Sequence, residues 1–172
     1  MQFAIFIIIF LPAVVGVMLP VLKIKNRNLK NAVIAATLIA EVLLNIFIAS
    51  NTGYRALIWD IAPLLKVAVA VDEISVIFSF IATVGWLLVG IYSFEYMKHE
   101  KNEDRFYCFF LIVLSTLLAM DFADGLITMY IAFEMLTLAS VPLVIHEMTK
   151  EAVAAAMKFL FYSIGGAFLR CV

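Results

Sequence analysis

The chain has 172 residues, 66% of them hydrophobic, a mean hydropathy of +1.11 and a formal net charge of −1. Soluble domains are nearer about 45–50% apolar, so the composition is that of an integral membrane protein. The charge gives no footing for nucleic acid. Cys108 and Cys171, with the distant His99 and His146, make neither a disulfide framework nor a zinc site.

The chain opens Met1-Gln2-Phe3 with no basic stretch, so no cleaved signal peptide is expected and the first apolar segment stays as a helix. Six apolar segments approach the length that crosses about 30 Å of hydrocarbon. The first covers residues 3–22, with Pro12 and Pro20 inside it, and a kink is expected there rather than a break. A short basic loop, residues 23–30, precedes the second segment at 32–50, which carries Glu41 at its centre.

Residues 51–72 form the longest connection. Asn51-Thr52-Gly53 is turn chemistry, and the β-branched residues 65–71 read as an extended piece at the membrane surface. The third segment, 74–96, holds Trp86 too deep for an interface anchor, whereas Tyr92 and Tyr96 fit an aromatic belt. The charged loop 97–105 leads to a short fourth segment, 106–123, and a tight acidic turn with Asp121 and Asp124. The fifth segment spans 125–145 with Pro142 in its last turns, and the sixth spans 151–169. The expected fold is an all-α polytopic bundle of six transmembrane spans. Residues 1–105 make a three-helix region with basic loops, and residues 106–172 hold helices four to six.

Orientation follows from loop lysines and arginines. The odd-numbered loops hold eight (Lys23, Lys25, Arg27, Lys30, Lys98, Lys101, Arg105 and Lys150) and the even-numbered loops two, Arg55 and Lys66. The odd loops then face the cytoplasm, the N-terminus faces outward, and the charges themselves read as solvated topology signals.

The fifth segment is the informative one. Glu134 is its only charge and sits roughly 10 residues, or about 15 Å, from either end. A carboxylate at that depth costs on the order of 2.5–3.5 kcal/mol by insertion scales. Tyr130, Glu134 and Thr137 share a helical face, which gives the carboxylate hydroxyl neighbours. Lys158, in Ala154-Ala155-Ala156-Met157-Lys158-Phe159, is the second such group. It shares a face with Ala154, Tyr162 and Gly165, small residues among them admitting a neighbouring helix, so Lys158 is expected to point into a bundle. Glu151 lies near the boundary as an intake group. An acid and a base on successive spans suit a proton or cation relay, with Tyr130, Thr137, Tyr162, Glu151 and Glu41 as support. The plain alternative for each is a clamp between helices, or for Lys158 a stem that snorkels.

Three stretches resemble the N-terminal part of the antiporter-like membrane subunits: the proton-pumping subunits of respiratory complex I, their relatives in membrane-bound hydrogenases, and the large subunits of multisubunit cation/proton antiporters. They are Val71-Asp72-Glu73-Ile74-Ser75 leading to Tyr92-Ser93-Phe94-Glu95-Tyr96-Met97; Phe133-Glu134-Met135-Leu136-Thr137-Leu138-Ala139-Ser140; and Ala155-Ala156-Met157-Lys158-Phe159 with Ser163 and Gly165-Gly166. The resemblance implies that Glu134 is the family's channel glutamate and Lys158 its sixth-helix lysine. Phe133 stands where the family often has Trp, as in hydrogenase-type or archaeal-type branches. The family's inverted five-helix repeats continue beyond a sixth helix, so an incomplete repeat is expected here: a truncated, split or frameshifted member that does not translocate ions alone.

The expected function is a membrane-arm subunit, or its N-terminal piece, in a redox-driven ion-pumping complex of the cell membrane. It would move protons or sodium ions beside other membrane subunits, within the lipid bilayer. The alternatives are a subunit of a secondary cation/proton antiporter and a non-conducting scaffold. The chain has no nucleotide loop, metal cluster or nucleophile constellation, so no cofactor is expected and redox chemistry falls to partner chains.

Overall fold

The computed structural model describes residues 2–22, 26–50, 52–62, 65–98, 102–146 and 149–170. Lys23, Lys25, Asn51, His99, Lys101 and Cys171 lie outside the described residues. Six helices stand close to the six apolar segments: α1 (Gln2–Leu22), α2 (Arg27–Ala49), α3 (Glu73–Tyr96), α4 (Glu103–Asp121), α5 (Leu126–Val144) and α6 (Lys150–Arg170). Among the described residues, α1, α2, α3 and α5 are long and apolar enough to cross a membrane. The helix α4 carries Glu103, Asp104 and Arg105 in its first turn and Asp121 at its end.

α4 is the axis of the bundle. It packs against α1, α3 and α5, and buries Tyr107, Phe110, Leu111, Leu114 and Leu118. These meet Ile5, Ile8 and Ile9 of α1, Ile34 and Leu38 of α2, and Phe122 in one core. Two glycines set how closely helices approach. A Cβ on Gly16 would stand 2.8 Å from the Cys108 carbonyl oxygen, so the α1 and α4 backbones are nearly in contact. A Cβ on Gly90 would meet the tip of Leu38, 2.4 Å away. α1 runs through both Pro12 and Pro20 without a break. Beside Pro12, the Ser115 hydroxyl donates to the Ile9 carbonyl at 2.5 Å, tying α4 to α1 where proline removes a helical donor.

The connection between α2 and α3 is more ordered than a surface strand. β1 (Tyr54–Ala62) and β2 (Leu65–Val71) form an antiparallel hairpin, with register shifts between Leu57 and Trp59 and between Asp60 and Ala62. The expected extended piece is β2, and β1 is its unexpected partner. The hairpin lies over the α4–α5 turn. Ala70 N–H donates to the Phe122 carbonyl at 2.9 Å, Asp124 N–H to the Ala68 carbonyl at 2.9 Å, and Ala68 N–H to the Thr128 hydroxyl at 3.1 Å. This turn holds Gly125 at φ +115, a backbone that side chains disfavour. Asp124 also faces Arg55 at 3.8 Å.

The opposite end of the bundle is held by charge. Arg27 meets Glu103 at 2.8 Å, and Lys30 meets Glu103 at 2.9 Å and Asp104 at 2.8 Å. The Arg105 guanidinium donates to the His146 carbonyl at 3.0 Å. The starts of α2 and α4 and the end of α5 therefore share one side, and the hairpin occupies the other. Arg27 and Lys30 correct the loop reading. They lie inside the first turn of α2, whose cap is Asn26, and Lys30 is buried in ion pairs rather than solvated.

α3 begins with a reciprocal cap. Asp72 accepts from Ser75 N–H at 2.6 Å, and the Ser75 hydroxyl accepts from Asp72 N–H at 2.9 Å. These bonds from the Ser75 backbone and hydroxyl hold the Asp72 carboxyl below its usual range. A depressed carboxyl adds stability above the unfolded value near about 3.9 and loses it as pH falls through the folded value. Asp72→Ala is expected to cost about 1 kcal/mol and to remove that acid dependence, read by thermal unfolding in detergent from pH 2 to 7 on an order-of-magnitude window around the carboxylate range. In the same assay Gly16→Ala should destabilise by about 1–3 kcal/mol, because backbone must move. Gly90→Ala should cost less, because the Leu38 tip can rotate.

Candidate functional site

Glu134 lies mid-way along α5 and is half-buried. Its neighbours on α5 divide. Thr137 is buried and its hydroxyl donates to the Phe133 carbonyl at 3.0 Å, while Tyr130 is 40% exposed. Thr137 thus directs its proton to the backbone rather than to Glu134. Phe133, Met135 and Leu138 present an apolar surface around the carboxylate.

Lys158 is exposed, as are Ala154, Tyr162, Gly165 and Glu151. The buried position of α6 is Ala156, on the helix that packs against α5. The small-residue face that was expected to turn Lys158 into a bundle meets open space at Gly165 and Gly166. Among the described residues no ion pair joins Glu134 to Lys158. The two groups stand on adjacent helices with their faces uncovered by the described residues of this chain.

Among the described residues the most deeply buried acid is instead Glu41. It is 0% exposed and lies on the α2 face that meets α3. Asn45 and Ser79, both 0% exposed, join across that seam, the Asn45 amide donating to the Ser79 hydroxyl at 2.7 Å. Counting one turn back from this contact on antiparallel helices puts Glu41 level with Thr83, about 15 Å from the start of α3. Ser75, Ser79 and Thr83 recur every fourth residue, all buried, in a line from the Asp72 cap to that level. Two things hid this seam in the sequence. Glu41 has one hydroxyl on its own helical face, Thr37, which is bound to the Val33 carbonyl, and its other hydroxyl neighbours come from another helix. The i, i+4, i+8 spacing of Ser75, Ser79 and Thr83 was the available signal.

On the charged side, Pro20, Lys30, Asn102, Glu103, Asp104, Arg105, Cys108 and Phe109 line an open cleft. Trp86 is not an anchor at the lipid surface. Its indole donates to the Phe110 carbonyl at 3.0 Å, and its ring stacks on Phe110 at 5.7 Å.

Residues 64–107 match the family model for the N-terminus of chain 5 of NADH-ubiquinone oxidoreductase, complex I. The matched stretch runs from β2 through α3 into the first turn of α4, and leaves out Glu41, Glu134 and Lys158. The chain is 33% identical over 97 residues to NAD(P)H-quinone oxidoreductase chain 5 of a Picosynechococcus species, covering 56% of this chain and 15% of that one. Against Na(+)/H(+) antiporter subunit A1 of Staphylococcus aureus it is 22% identical over 167 residues, 93% of this chain and 21% of that one. The fold matches a chain of the membrane-bound sulfane sulfur reductase, an archaeal respiratory membrane complex. There the TM-score is 0.81 at 20% identity, over 97% of this chain and 35% of that one. The chain is thus similar in part to complex I chain 5 and to antiporter subunit A1. It is a multi-pass membrane protein, and it spans 15% and 21% of the two named curated relatives.

Proposed function

We propose that the chain serves as a membrane-arm subunit, or the N-terminal part of one, in a redox-driven proton- or cation-translocating complex. It is not itself the site of redox chemistry. Glu134 is the channel acid and Lys158 the base that couples to it, with Tyr130, Thr137, Tyr162 and Glu151 as support. The observation that carries this reading is the placement of Glu134, half-buried at mid-span on α5, with Lys158 on the helix packed against it. Their uncovered faces, in an apolar surface of Phe133, Met135, Leu138, Met157 and Phe161, suit contact with other membrane protein.

The assignment to the cell membrane with the N-terminus outward rests on the basic-residue bias. The shared location of Arg27, Lys30 and Arg105 on one side of the bundle supports it. A second reading, a subunit of a multisubunit cation/proton antiporter, is favoured by the match over 93% of the chain to antiporter subunit A1.

In membrane vesicles carrying the assembled complex, Glu134→Gln should cut ion translocation at least about tenfold, a barrier change near 1.4 kcal/mol. Assembly on native gels should be unchanged. Full translocation by that variant refutes the relay. Translocation driven by added substrate reductant supports the redox reading, and proton movement elicited by a sodium gradient alone supports the antiporter.

A further inference from the structure

Glu41 poses a problem that the relay does not address. Both its carboxyl oxygens are buried without a hydrogen-bond partner, and so is the Asn45 amide oxygen, one helical turn away on the same face. The surrounding hydroxyl protons are already directed elsewhere: Thr37 to the Val33 carbonyl at 2.9 Å, Ser79 to Val76 at 3.1 Å, Thr83 to Phe80 at 3.1 Å. The Asn45 amide donates to Ser79. The seam therefore gathers acceptors, and the one side-chain donor its hydrogen bonds leave over is the second N–H of the Asn45 amide.

Among the described residues no counter-charge relieves this. α1, which packs on α2, contains no ionisable side chain. On α3 the titratable residues are Glu73, Tyr92, Glu95 and Tyr96, near its two ends. Lys30 on α2 itself is three turns away and held by Glu103 and Asp104. A buried acid with no cation beside it and no hydrogen bond to its oxygens is stable when it carries a proton. That single proton also supplies the donor that the Asn45 oxygen lacks.

We propose that Glu41 is a second proton-binding site, lodged between α2 and α3 and paired with Asn45, independent of Glu134. The carboxylate takes up one proton to become a neutral acid, and gives it up again as the free carboxylate. Oxygen ligands of this kind also suit a sodium ion, and the experiment separates the two.

The test is infrared titration of the full chain in lipid nanodiscs. The wild type should give a protonated-carboxyl C=O band at neutral pH that shifts in D2O and disappears at high pH. Glu41→Gln should lose that band and Glu134→Gln should keep it. Asn45→Leu, which removes the acceptor and not the acid, should move the band to higher frequency. A spectrum unchanged by Glu41→Gln overturns the proposal. So does a band whose midpoint falls with added sodium at fixed lithium-balanced ionic strength, which would make the site a sodium site. If Glu41→Gln does not fold, the Asn45→Leu shift decides alone, and an unmoved band overturns the pairing.

Discussion

An acid taken into hydrocarbon must be paired, neutralised or returned to a polar surrounding, because an isolated charge there is too costly to keep. The bundle meets that constraint in three ways. Glu103 and Asp104 are paired, and their partner Lys30 is drawn below the surface to reach them. Glu41 is sealed between α2 and α3, with no hydrogen bond to either of its oxygens. Glu134 is left at a half-buried position on the outer helix pair, where its surroundings depend on whatever covers α5 and α6. Each placement follows from which helix carries the acid: α4 is central, α2 is packed on two sides, and α5 and α6 form the flank.

The two ends of the bundle are closed by different physics. One end uses long-range ion pairs between helix starts. The other uses backbone hydrogen bonds from a hairpin to the α4–α5 turn, where Phe122 and Asp124 extend the ladder of β2. Between them the core around α4 is apolar. Its Ser115 and Thr116 hydroxyls are bound to carbonyls of Ile9 and Val113. The α2–α3 seam and the α5–α6 flank are therefore separate polar regions with the apolar core of α4 between them.

Much of the fold was legible in the sequence, because the six apolar runs mark the six helices, four of which are long and apolar enough to cross a membrane. The helix starts were misplaced where charges stand in a first turn. Hydropathy treats Arg27, Lys30, Glu103 and Asp104 as loop residues, whereas their mutual pairing lets α2 and α4 begin earlier. β2 showed its alternation of valine and alanine. β1 did not, because Tyr54–Ala62 is irregular in pattern and its pairing contains two register shifts. The contacts of Phe122 and Asp124 with β2 span more than 50 residues of sequence, beyond the reach of local pattern.

The site was legible in kind and not in rank. Sequence reasoning weights an ionisable residue by its own helix, so Glu134 with Tyr130 and Thr137 outranked Glu41, whose own helical face offers the Thr37 hydroxyl alone. Burial ranks by the neighbouring helix instead. α3 offers Ser75, Ser79 and Thr83 at four-residue spacing, and an antiparallel partner brings that row against the α2 face of Asn45 and Glu41. The rows match only because both helices keep the same period and Gly90 lets Leu38 seat closely at the far end of the seam. A polar row on one helix is therefore evidence about the helix it packs against, and here it points from the Asp72 cap to the acid at mid-membrane.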